Sequence, residues 1–98
     1  NTALERVEHE QKELAMSILR QVLVHQRAGR WTEAHNLVQS DNSELAAWLH
    51  GILHIQEGEL EDAEYGYGKA DRQFRSRGSL DEELQRFEAA LLLGEGPA

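Results

Sequence analysis

Cysteine is absent from the chain, which removes disulfides, thiolate metal ligands and cysteine nucleophiles from consideration together. Proline occurs once, at Pro97, so no proline interrupts the backbone before the last two residues. No apolar run approaches the roughly 20 residues that span a bilayer. Basic residues are also scarce: 10 Lys and Arg stand against 18 Asp and Glu, a formal net charge of -8. That balance opposes a nucleic-acid backbone or an anionic bilayer, either of which requires a basic face. Neither nucleic acid nor membrane is expected as a partner. Asn1-Thr2-Ala3-Leu4-Glu5 lacks the basic then apolar layout of a signal peptide, and a cytoplasmic location is expected. The chain opens on Asn1 rather than Met, leaving room for a preceding leader or domain. No glycine-rich phosphate loop or nucleophile elbow is present. Nucleotide and serine-hydrolase chemistry are therefore not expected, and no residue is singled out as catalytic.

What the chain does have is Ala, Leu, Glu, Gln and Arg in abundance, the composition of an all-α protein. Thr2 with Glu5 forms a capping box at the start of a first helix. Leu4, Val7, Leu14, Ile18, Val22 and His25 then recur at helical spacing until Gly29. The resulting helix has roughly 25 residues, or about 38 Å of rise. A second helix is expected over Trp31 to Gln39 and a third from the Ser40-Asp41-Asn42-Ser43 turn to Gly58. The fourth begins near Glu59 or Leu60 and carries Ala63, Tyr67, Ala70 and Phe74 on one stripe. Gly66 and Gly68 inside it each cost about 1 kcal/mol relative to Ala, which suggests close approach of another backbone. Ser79 with Glu82 caps a fifth helix marked by Leu80, Leu84, Phe87 and Leu91. The organisation is one domain over 1-94, with hairpins at 3-39 and 43-75, a closing helix at 79-93 and a tail at 95-98.

The sequence also repeats itself. Ala28-Gly29-Arg30-Trp31-Thr32-Glu33-Ala34 aligns with Glu57-Gly58-Glu59-Leu60-Glu61-Asp62-Ala63. The glycine, the large apolar residue two later and the alanine five later all coincide. The same register pairs His25 with His54, so two helical hairpins of one design are expected, closed by the fifth helix. Over the second hairpin, Gly51, Gly58, Ala63, Tyr67 and Ala70 fall where a tetratricopeptide repeat has its small and aromatic residues, and the segment resembles that family. The repeat offset is shorter than the family's, His54 stands where the family prefers an aromatic, and no proline ends the second helix. The resemblance implies antiparallel helical hairpins in a right-handed stack or compact bundle, and a protein-binding role. The stretch AAWLHGILHIQEGELEDAEYGY is also similar to a group of small bacterial proteins with an AW-x-H-x-x-L-H-x-x-EG core, a likeness that implies no activity.

Two functional classes follow. The first is an interaction module, binding a protein partner or a second copy of itself. Leu45, Trp48, Ile52, Ile55 and Tyr65 are its candidate partner surface. Leu4, Val7 and Leu14 are a candidate homodimer strip, because the long first helix overhangs its short partner and leaves apolar side chains uncovered. The second class is a divalent-metal site. His50 and His54 lie four residues apart, on one helical face, and Glu57 follows one turn later. Two histidines and a carboxylate would leave an open position for a hydrolytic water, and His25 or His35 from the first hairpin could close the site. A plainer reading makes the histidines packing residues, with His54 and His25 in equivalent places; His50, whose counterpart is Gln21, remains unexplained by the repeat. Lys69, Arg72, Arg75 and Arg77 complement the carboxyl end of the fourth helix.

Overall fold

A computed structural model describes residues 3–95. The described residues form an all-α bundle of five helices: α1 Ala3–Arg27, α2 Trp31–Val38, α3 Glu44–Gln56, α4 Leu60–Lys69 and α5 Leu80–Glu95. The expected capping box at Thr2 and the side chain of Leu4 lie outside the described residues.

The repeat is written into the backbone. Gly29 and Gly58 both adopt φ of +77°, the left-handed conformation that glycine enters without a Cβ penalty. At the first turn the Arg30 amide donates to the His25 carbonyl at 2.9 Å, and at the second the Glu59 amide donates to the His54 carbonyl at 2.9 Å. Gly29 and Gly58 also donate, to Gln26 and Ile55, completing a Schellman motif at each helix end. The residues that follow match as well: Arg30 has φ, ψ of -92°, 69° and Glu59 -93°, 74°. One turn geometry thus reverses the chain twice and builds both hairpins.

Close approach between α3 and α4 depends on two glycines. A Cβ on Gly51 would fall 2.7 Å from Tyr67 Cδ1 and 3.0 Å from the Ala63 carbonyl, and one on Gly66 would fall 3.0 Å from the Gly51 Cα and the Ala47 carbonyl. Gly68 faces open space, so only Gly66 of the pair serves packing. The α4 helix is shorter than the Phe74 periodicity suggests. It ends at Lys69, where Asp71 turns to φ +57° and the Arg72 amide donates back to the Tyr67 carbonyl at 2.9 Å. Phe74 still reaches the core from the loop, its ring edge-on to Tyr67 at 5.4 Å.

The central element is α3, which packs against α2, α4 and α5. Leu49, Ile52 and Leu53 are fully buried beside Val22, Leu19 and Phe87, and Trp48 meets Phe87 edge-on at 5.3 Å. Ser79 and Glu82 exchange backbone-to-side-chain bonds at 3.0 and 3.2 Å, the expected capping box of α5. Glu83, one residue on, is the one buried charged side chain among the described residues. It accepts from Tyr67 Oη at 2.5 Å, the Gly78 amide at 3.1 Å, Arg86 at 2.8 Å and Trp48 Nε1 at 3.4 Å. Burial works to raise its pKa, but these donors overcome that cost and hold the carboxyl below the ordinary range. Tyr67 is pushed upward, first by burial and then by its bond to Glu83.

Candidate metal centre

His35 comes from α2, and His50 and His54 from successive turns of α3. The hairpin turn after Gly29 sends α2 back along the bundle, and its packing on α3 sets the first residue against the other two. His35 Nε2 and His50 Nε2 lie 2.9 Å apart. One ring nitrogen from each of the three residues lies within 4.8 Å of those of the other two. All three rings are partly buried.

Trp31 holds this cluster in place. Its ring stacks on His35 at 4.7 Å and 15°, and stands edge-on to His54 at 5.8 Å. Its own position is set by the indole N–H, which donates to the Leu53 carbonyl at 2.8 Å. On the other side, His54 Nδ1 lies 3.2 Å from Glu59 Oε1. A carboxylate can only accept, so Nδ1 carries the proton of this contact, which in the neutral imidazole leaves Nε2 as the nitrogen with a lone pair. This is the arrangement by which a second-shell carboxylate fixes the tautomer of a ligating imidazole. Asp62, on α4, completes a group with His54 and Glu59 within the same 4.8 Å.

Burial favours the neutral form of His50 and His35. Burial, followed by the nearby His35 and His54 and by the charge of Lys69, pushes His50 down to about 4. His35 is lowered as well, by burial and then by His54, against an opposing pull from Glu59 and Asp62. Neutral imidazole is the form that binds a metal. The His35–His50 pair is spaced close to what a tetrahedral ion requires, and a ring nitrogen of His54 lies within 4.8 Å of both. Two nitrogens each about 2.05 Å from Zn²⁺ stand about 3.3 Å apart, a few tenths of an ångström wider than the present contact.

The rings open onto a groove of about 700 Å³ between the hairpins, whose walls include Asp41, Glu44, Asp62, Tyr65 and Lys69. Its fixed charges are mostly acidic, and among the described residues lining it Lys69 is the one fixed cation. Asp41 Oδ2 is buried in its wall without a hydrogen-bond partner, while Oδ1 accepts from the Ser43 amide at 2.8 Å.

The other sequence candidates fall as follows. Glu57 is the exposed C-cap residue of α3 and stays outside both groups of converging ligand atoms. The carboxylates that do approach are Glu59 and Asp62. The repeat itself signals Glu59, since it occupies the position of Arg30, whose Nε donates to His25 Nδ1 at 2.9 Å. His25 is thereby committed to its own hairpin, and His35 is the residue that joins the pair. Trp48 and Ile52 are 1% and 0% exposed: both belong to the core, where Trp48 meets Phe87 and Glu83 of α5. This corrects the expected partner surface, of which Leu45 and Ile55 are partly exposed and Tyr65 is open to solvent. Val7 and Leu14 are exposed on α1 at 47% and 63%.

Comparison of the chain with family models, curated proteins and solved structures finds no match.

Proposed function

We propose that the chain is a metal-binding helical-hairpin domain that holds one divalent first-row transition ion, of the Zn²⁺ or Co²⁺ kind, with His35, His50 and His54. The observation that carries this reading is the convergence of three imidazole nitrogens from two hairpins within 4.8 Å. The Glu59 contact to Nδ1 of His54 supports it. Such a set satisfies the preference of these ions for neutral imidazole and leaves a fourth tetrahedral position free. A metal-dependent hydrolase would place its water there.

The test is elemental analysis and calorimetric Zn²⁺ titration of the protein without a histidine tag. One ion per chain is the expected result, lost in His35→Ala, His50→Ala and His54→Ala while helical circular dichroism persists. A wild-type chain that takes up no ion, or variants that bind as well as wild type, would sink the proposal.

The second hairpin is read as tetratricopeptide-like. The contact of Gly51 with Ala63 and Tyr67 supports that likeness, since small residues at those places are what let the repeat's helices close. An interaction role stands as a second reading because large apolar side chains remain exposed: Val7 and Leu14 on α1, and Leu92 and Leu93 on α5 at 68% and 84%. The partner on this reading is a second copy of the chain.

A further inference from the structure

Three imidazoles leave an ion with a vacant fourth position. Two walls of the groove decide what can fill it. Asp41, Glu44 and Asp62 line the groove and make it attractive to a cation. Lys69 lines the same groove from the end of α4. Its ammonium lies 5.3 Å from the Tyr65 ring centroid. An ammonium that shares a groove with a dication is repelled by it, and an anion bound between them offsets that cost.

We propose that the ion held by His35, His50 and His54 takes an exogenous oxyanion, a carboxylate or phosphate group, as its fourth ligand, with Lys69 of the same groove as the anion's second contact. The inference rests on the metal-binding reading above. It has a consequence that a simple basic patch would not share. Without the ion, the acidic walls repel the anion, so oxyanion binding requires the metal. With the ion bound, ion and Lys69 form a two-point clamp. The Tyr65 ring lies beneath the Lys69 ammonium, a cation–π contact that narrows where the ammonium can stand.

The probes are Co²⁺, acetate and inorganic phosphate. The visible d–d bands of the Co²⁺-loaded protein report its coordination directly. Acetate and phosphate are titrated separately, so that the stronger response identifies the source of the oxyanion. The expected result is a saturable change in the Co²⁺ bands with at least one of them, and no calorimetric binding of either to the metal-free chain. Lys69→Met should bind Co²⁺ at least as tightly as wild type, since a like charge has been removed. Its oxyanion affinity should fall roughly tenfold, the loss of one charge-assisted contact, and Lys69→Arg should restore most of it. Co²⁺ binding with bands that ignore both anions, or an anion affinity indifferent to Lys69→Met, would overturn this inference and leave the metal site standing. Failure to bind Co²⁺ at all would overturn both.

Discussion

His50 is the residue whose environment makes the most specific demand. Its pKa is pushed from an ordinary 6.5 down to about 4, so the folded chain keeps it neutral while the unfolded chain protonates it below pH 6.5. The sign follows: the unfolded state binds the extra proton, and stability is complete above about pH 6.5 and is lost as pH falls toward 4. A sheltered group with this shift would contribute about 3 kcal/mol; screening in an open groove reduces that to on the order of 1 to 2 kcal/mol. Urea denaturation of wild type and His50→Gln at pH 7 and pH 4.5 checks this, and the substitution should flatten the decline. Gly51 makes a different demand at the same scale. Gly51→Ala drives a methyl into the Tyr67 ring at 2.7 Å and should cost about 1 to 3 kcal/mol. Gly68→Ala, a change in open space within a helix, should gain about 0.5 to 1 kcal/mol. Thermal melts that fail to separate the two would contradict the packing described for α3 and α4.

Among the elements, α5 is attached by a buried polar anchor set in an apolar seam, with an Arg27–Glu88 ion pair tying it to α1. Glu83 draws Tyr67 of α4, Trp48 of α3 and the Gly78 amide of the preceding loop onto a single carboxylate. A Gln there can accept from Tyr67 only by turning its NH₂ toward the Gly78 amide and Arg86, donor against donor. Glu83→Gln should therefore destabilise by about 1 to 3 kcal/mol. Amide exchange should rise first over residues 76–83, before α3 loses protection; uniform acceleration along the chain would show that α5 does not open separately. The hairpin turns are a second element-scale feature. Gly29→Ala and Gly58→Ala each place a Cβ at φ +77° and should each cost about 1 kcal/mol, with similar values because the two turns share one geometry.

At the scale of the whole molecule, the bundle measures 46 × 26 × 19 Å, drawn out by an α1 of 25 residues against an α2 of 8. Val7 and Leu14 lie on the extended half of α1 and Leu92 and Leu93 near the end of α5. Burying such side chains is worth about 1.5 to 3 kcal/mol each, the gain that pairing of two copies would set against the cost of association. Light scattering across a concentration series should show a dimer that Leu14→Asp converts to monomer; a monomer at every concentration would contradict self-association. Saturating Zn²⁺ should raise the melting temperature, because an ion that binds only the folded state adds to its stability by mass action.

Local chemistry was enough to make several features legible. The all-α composition, the capping box at Ser79 and Glu82, the glycine stops at Gly29 and Gly58 and the repeat between the hairpins all depend on residues within a turn or two of one another. So did the helical face shared by His50 and His54, which needs only the α-helical pitch. Other features depend on how separate helices meet. Phe74 kept its helical register in the sequence while α4 ended at Lys69, because a left-handed Asp71 closed the helix early. Trp48 and Ile52 looked like a docking face and became core once the helices packed around α3, with α5 against Trp48. Glu59 and Asp62, rather than Glu57, approached the imidazoles because the turn after Gly58 carries α4 back past α3. Helical periodicity is a property of neighbours along the chain, and the sequence by itself determined that much. Which histidine joined the pair, His35 rather than His25, was settled only by the packing of α2 on α3, a contact between residues far apart in the chain that no local spacing encodes.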